Sequence, residues 1–376
     1  MSNRMSKMPT LKLGVIGGGL NSAIGTTHKI ASQMDGRFEL VSGCFSRNAA
    51  INKATAESWG VSLDRLYTSQ TDFLDAESKK LDAVLILTPT PTHADIIISC
   101  FECGLPVICE KALVSNIDEV EKLSAAIEAQ KGTLIVTFNY TGYPMLRELR
   151  QRIAEGELGI ISQVMIEMPQ EGFLRRATDG KVTKPQSWRQ KDGSIPTVSL
   201  DLGVHVHQMV DFLIREKAQN VFAFNSTFGE VPNVIDTVHC VARYSTDVIC
   251  NYWYGKAAPG YRNGLRVRVF GNKGSAEWLQ MDPEYLHISD VYGGSFRIDR
   301  THPENRVANL ARYCRFKAGH PAGFIEAFAN YYEDIADMLS GTPNDNVFGL
   351  DVARDGIIFL HNANISAVKG TPVSLI

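Results

Sequence analysis

Three clusters in this 376-residue chain carry side chains whose type and spacing suit chemistry. The first is Gly17-Gly18-Gly19-Leu20-Asn21-Ser22, with glycine at two positions of a G-x-G-x-x-G pattern and Ser22 at the third. Glycine there permits a tight turn and close approach of the backbone to a pyrophosphate, which then rests on the positive end of the next helix. A lone glycine motif is weak evidence, and its place between an apolar strand and a helix is what points to a dinucleotide. Gly17, Gly19, Leu20 and Asn21 are therefore expected to contact a cofactor.

The second cluster lies at two strand ends, Thr88-Pro89-Thr90-Pro91-Thr92-His93 and Cys109-Glu110-Lys111-Ala112. Doubly wound folds bind ligands beyond the carboxyl ends of their strands, so Thr88, Pro89, Thr90, His93, Glu110 and Lys111 are candidates for cofactor contact. At such an edge Lys111 can assist proton movement or polarise a substrate oxygen. The plainer alternative is a surface pair with Glu110. The third cluster, Asp201-Leu202-Gly203-Val204-His205, puts a carboxylate and an imidazole four residues apart, on one face if the segment is helical. A carboxylate can orient an imidazole and stabilise its charged form. The plainer alternative is a helix cap with a satisfied histidine. His207 points elsewhere on that helix, to an interface or into a core.

The positioning elements follow from hydrophobic periodicity. Leu11 to Ile16, Phe38 to Phe45, Leu81 to Leu87, Pro106 to Cys109 and Thr133 to Phe138 read as strands. Ile24 to Met34, Asn48 to Trp59, His93 to Cys103 and Asn116 to Gln130 read as helices, the last with Asn116 and Glu119 spaced as a capping box. Strands alternating with helices imply a parallel sheet. After about Tyr140 the pattern changes. A helix over residues 143 to 155 is followed by strands over 160–168, 221–228, 234–244, 247–254, 265–270 and 275–279, with helices near 202–215 and 322–340. The alternation in Leu265-Arg266-Val267-Arg268-Val269 suits an antiparallel sheet with one wet face. The fold expected is a Rossmann-type doubly wound parallel sheet over residues 1–140 and an α+β domain with an open, mainly antiparallel sheet over 141–376.

A net charge of −3 supplies no clustered basic surface for nucleic acid. Hydrophobic residues at 44% and charged residues at 21% suit a globular chain. No apolar run approaches the ~20 residues of a membrane helix, and Met1 to Thr10 reads as a short loose tail. Seven irregularly spaced cysteines make a poor disulfide framework and suit a reducing, cytoplasmic setting. Cys100-Phe101-Glu102-Cys103 forms a C-x-x-C, but no second pair or histidine ligand follows it at zinc-site spacing, so packing cysteines and no metal are expected.

The end of the second strand, Cys44-Phe45-Ser46-Arg47, bears on the cofactor. It has no carboxylate for a ribose 2′-hydroxyl, and Ser46 and Arg47 suit a 2′-phosphate. A solvated Arg47 is the equal alternative, so both NAD and NADP stay open.

The glycine turn, the T-P-x-x-x-H stretch, the E-K-x segment and the D-x-G-x-H segment together resemble the Gfo/Idh/MocA family of NAD(P)-dependent oxidoreductases, over nearly the whole chain. The resemblance implies a Rossmann domain and a substrate-binding and oligomerisation domain. It also implies a site between them acting on sugars, sugar derivatives or cyclitols, in a homodimer or homotetramer. It matches Lys111, Asp201 and His205 to the family's catalytic residues, and Gly17, Gly19, Thr88, Pro89, His93 and Glu110 to its cofactor contacts. Trp188, in a polar loop before Asp201, resembles a tryptophan that approaches the cofactor in some members. The chain departs from the pattern at Ala112, where the family has proline, often after a cis bond. It departs also at Ser22, at the missing acid of the second strand and at Gln208. No role follows for the segment 319–330. The reaction implied is hydride transfer between a nicotinamide and a ring carbinol carbon, with His205 as base, Asp201 orienting it and Lys111 hydrogen-bonding the same oxygen. Two alternatives are a retained cofactor serving elimination, epimerisation or glycoside cleavage, and a non-catalytic cofactor-sensing protein.

Overall fold

The computed structural model describes residues 9–182, 185–317 and 319–375, so all but the last two residues of the expected tail lie outside the described residues. The chain forms two compact units. One holds residues up to Val114, then 118–142 and 324–351, and the other holds 115–117, 143–323 and 352–376.

In the first unit, β1 (Leu11–Gly17), β2 (Phe38–Cys44), β3 (Ala83–Leu87), β4 (Val107–Cys109) and β5 (Leu134–Val136) form a parallel sheet of order β2-β1-β3-β4-β5. All five residues of β3 are buried, as a strand covered on both faces requires. Between the strands run α1 (Gly25–Gln33), α2 (Ala49–Trp59), α3 (Gln70–Glu77), α4 (His93–Glu102) and α5 (Ile117–Gln130). Asn48 caps α2 by accepting from the amides of Ala50 and Ile51, and Gly60 ends it in the left-handed region at φ +75°. The strand order reverses between β1 and β3, which opens a crevice at their carboxyl ends.

Later helices are α6 (Pro144–Ala154), α7 (Val204–Ile214), α8 (Phe324–Leu339) and α9 (Leu350–Lys369). Helix α8 belongs to the first unit and packs on α1, with the His28 ring 4.8 Å from that of Phe328. Just after α1, Arg37 donates to Asp337 at 2.7 Å.

The second unit is built on nine strands in the order β13-β12-β11-β10-β6-β9-β8-β7-β14. They are β6 (Ile161–Pro169), β7 (Ala218–Ser226), β8 (Thr237–Tyr244), β9 (Ile249–Gly255), β10 (Arg266–Gly271), β11 (Gly274–Leu279), β12 (Tyr285–Asp290), β13 (Ser295–Asp299) and β14 (Val373–Ser374). The sheet is mainly antiparallel, with one parallel pair, β6 and β9. Along β8, Val238, Cys240, Ala242 and Tyr244 turn inward while His239, Val241 and Arg243 turn out. Helix α7 packs on β6, and Phe359 of α9 meets Tyr252 of β9.

Most expected elements fall within three residues of those observed. The sequence reading omits α3, β12, β13, β14 and α9. The β12–β13 hairpin buries only Leu286, Ile288 and Ile298, too short an alternation to stand out. The buried stripe of α9 relies on Ala353, Gly356 and Ala363 beside its larger side chains, which weakens the helical signal. No helix among the described residues is long and apolar enough to cross a membrane.

Candidate active site

The glycine turn is a cradle that side chains would fill. Gly17 and Gly18 have φ of +84° and +73°, a region that disfavours any Cβ. A Cβ on Gly17 would lie 2.8 Å from backbone atoms of Leu87 and Thr88, and one on Gly25 only 1.8 Å from the Gly18 carbonyl oxygen. Ser22 compensates for the missing third glycine by accepting from the amides of Ile24 and Gly25, both at 3.3 Å, at the start of α1. Leu20 and Asn21 are exposed at the tip of the turn. This closeness of β1, β3 and the α1 N-terminus is what a dinucleotide pyrophosphate needs, so the residues present fit the cofactor.

At the end of β2, Asn52 Oδ1 accepts from the amides of Phe45 (2.8 Å) and Ser46 (3.2 Å). The Ser46 hydroxyl accepts from the Asn48 amide at 3.1 Å, and Arg47 is exposed. At the end of β3, Pro89 is exposed, Thr88 half-buried and Thr90 buried. His93 braces this edge from inside. Its Nε2 lies 2.8 Å from the Thr88 carbonyl, and its Nδ1 lies 3.1 Å from those of Ala112 and Leu113. Burial pushes the His93 pKa down, against the opposing pull of these carbonyls and the Glu110 charge.

At the end of β4, Glu110 is buried and Lys111 half-buried. Glu110 Oε1 lies 2.9 Å from His28 Nε2 and accepts from the Thr137 hydroxyl. Burial alone would push its carboxyl up. The His28 hydrogen bond and charge, the Lys111 ammonium and the Thr137 hydroxyl outweigh that and hold it below the usual carboxylate range. The plainer alternative of a surface Glu110–Lys111 pair is thereby replaced, because Glu110 faces inward. The Lys111–Ala112 peptide bond is cis.

In the second unit, Asp201 lies in a single π-helical turn, Ser199–Gly203, that leads into α7. Its Oδ1 accepts from Arg189 Nη2 at 3.0 Å, and its Oδ2 pairs with the Lys256 ammonium at the end of β9. Lys256 is buried and lies 5.7 Å from the centre of the Phe173 ring. His205 is buried in the first turn of α7. Trp188 donates from its indole to Gln186 at 2.9 Å, and the Arg189 guanidinium lies 4.8 Å over its ring. Asp192 anchors this loop by accepting from the amides of Thr197 and Ile235, at 2.8 and 2.7 Å. His207 is structural. Its ring packs 4.8 Å from that of Phe359, its Nδ1 has no hydrogen-bond partner among the described residues, and burial pushes its pKa down to about 4.

Each unit thus gathers its own share of the candidates. Residues 17–21, 46–47, 88–93 and 110–111 share one sheet edge of the first, and Trp188, Asp201 and His205 belong to the second. The sequence reading missed His28, Thr137 and Tyr332 around Glu110, and Lys256 beside Asp201. A lysine directly after the apolar strand Ile249–Gly255 was the available signal for Lys256.

A parallel sheet with a glycine cradle at its switch point, followed by an α+β unit, defines a Rossmann-type dinucleotide-binding protein of two parts. Residues 11–138 match the oxidoreductase family with an NAD-binding Rossmann fold, and residues 146–277 match the GFO/IDH/MocA C-terminal domain. The chain belongs to the Gfo/Idh/MocA family and is an NAD-binding oxidoreductase. It is 28% identical over 381 residues to an uncharacterised oxidoreductase, YfiI, of Bacillus subtilis (96% of this chain and 95% of the relative). It is 24% identical over 354 residues to an inositol 2-dehydrogenase of Rhizobium meliloti (92% and 95%). Its fold is similar to that of an inositol dehydrogenase homolog from Azotobacter vinelandii crystallised with NADH and myo-inositol, with a TM-score of 0.87, 25% identity and 97% of each chain covered.

Proposed function

We propose that the protein oxidises, reversibly, a ring carbinol of a cyclitol or sugar. The similarity to inositol dehydrogenases makes an inositol-like ring the first substrate to try. When bound, the nicotinamide takes or returns the hydride. The other steps belong to side chains of this chain. His205 takes the hydroxyl proton as general base. Asp201, paired with Arg189 and Lys256, supports the charged form of His205. Lys111 donates a hydrogen bond to the same substrate oxygen.

The observation that carries this reading is the half-buried Lys111 at the end of β4, on the sheet edge that bears the glycine cradle. The test is turnover of myo-inositol and of a panel of cyclitols and hexoses with NAD and NADP, by wild type and Lys111→Met. The variant is expected to lose at least about a hundredfold in kcat, the scale of an acid–base or oxyanion contact, while its Kd for NADH stays within about threefold. Wild-type turnover in the variant overturns the assignment.

The proposed cofactor contacts at the cradle extend to Leu20 and Asn21 at its tip, and Trp188 is proposed as a further contact from the second unit. A homodimer or homotetramer is also proposed. The outward sheet face exposes Phe224 and Val241 beside a 390 Å³ cleft lined by Phe222 and Trp253, which suits burial against a second copy. Sedimentation equilibrium tests this.

A further inference from the structure

The first unit encloses polar groups that the proposed reaction leaves without a part. His28 on α1 is fully buried, with Nδ1 2.6 Å from the Tyr332 hydroxyl of α8 and Nε2 2.9 Å from Glu110 Oε1. The Thr137 hydroxyl, just after β5, donates to that same oxygen. An ionised carboxylate only accepts, so the His28 Nε2 carries a hydrogen toward Glu110 while Nδ1 meets the Tyr332 hydroxyl. Phe328 closes the imidazole edge-on at 4.8 Å. Three elements far apart in the chain, α1, α8 and the end of β5, therefore gather around one carboxylate at the end of β4.

Such convergence has a physical use. A buried carboxyl without donors protonates, whereas Glu110 is held in its charged form. Its chain neighbour is Lys111, a cation at the edge that takes the dinucleotide. A lysine there repels a cationic, oxidised nicotinamide, and an adjacent buried carboxylate offsets that repulsion at low dielectric. Other titratable groups facing Glu110 include His93 of α4, Cys109 of β4 and Tyr332 of α8. Further along α8, Asp337 is paired with Arg37.

We propose that His28, Tyr332 and Thr137 are positioning residues that hold Glu110 as a carboxylate at the end of β4, and that this charge favours the oxidised cofactor over the reduced one. The proposal rests on the placement of Glu110 beside the cofactor in the reading above.

The test measures Kd for NAD⁺ and NADH by calorimetry on the full-length protein, without substrate. Glu110→Gln and His28→Leu are each expected to weaken NAD⁺ relative to NADH by about tenfold, the size of one lost charge contact at a screened site. His28→Gln, which still offers an N–H to Glu110, stays within about threefold of wild type. A folded His28→Leu whose ratio stays within about twofold of wild type overturns the proposal. Should His28→Leu fail to fold, Thr137→Val decides: a shift of about threefold in the same direction supports the proposal, and an unchanged ratio overturns it. Binding of neither dinucleotide by the wild type overturns the underlying placement as well. Binding of both, with a ratio indifferent to these changes, overturns this proposal alone.

Discussion

Arg189 donates to Oδ1 of Asp201 at 3.0 Å, from a guanidinium that also lies 4.8 Å over the Trp188 ring. The loop carrying Trp188 is thus tied to the carboxylate that precedes α7. Lys256 takes the other oxygen, so Asp201 is held between a loop cation and a strand-end cation.

Removing one cation from such a cluster leaves a buried charge undercompensated, while removing both members of a pair does not. Lys256→Met is expected to lower stability by roughly 3 kcal/mol, as loss of one partner of a buried pair does. It should also depress turnover. The double variant Asp201→Leu/Lys256→Met should regain most of that stability yet stay inactive. Denaturant unfolding of the three proteins beside their turnover checks this, and a double variant no more stable than the single would count against the buried-pair account.

Arg47 is exposed at the end of β2, where no carboxylate stands to reject a 2′-phosphate. We predict that the site accepts NADP as well as NAD. Arg47→Ala should weaken NADPH by about tenfold, as expected for one charge-assisted contact, and NADH by less than about twofold. Fluorescence titration with both reduced cofactors measures this, and equal losses for the two would remove Arg47 from any role in discrimination.

His207 carries a pH signature. Burial is the main cause that lowers its pKa to about 4, with Lys217 acting the same way and Asp355 opposing. The ordinary value is 6.5, so between those limits the folded chain binds fewer protons than the unfolded one. This contribution to stability is fully present above about pH 6.5 and is lost as pH falls toward 4, reaching roughly 3 kcal/mol. His207→Leu should flatten that part of the stability curve. Thermal unfolding of both proteins from pH 7 to pH 4.5 tests it, and parallel curves would show that other groups set the acid limb.

Much of the architecture was legible locally. The glycine turn and the continuous apolar run of β3 sit in single segments, and their periodicity reports what each strand faces. Asp201 and His205 were visible as a pair, but the spacing argument assumed an α-helix. The π-helical turn at Ser199–Gly203 changes the angular relation between them, and no residue type announces such a turn.

The sequence by itself determined which residues lie at the ends of which strands, because hydrophobic alternation and glycine placement act over a few positions. It could not determine the neighbours of those residues. His28 meets Glu110 across 82 positions and Tyr332 across 304, and Lys256 meets Asp201 across 55. Those meetings depend on how α1, α8, β4 and β9 pack within their units, and packing of distant elements leaves no periodic trace in the chain. Tertiary structure alone decided that Glu110 turns inward to a histidine and that Asp201 rests between two cations, since burying a carboxylate is tolerable only where donors from elsewhere arrive to meet it.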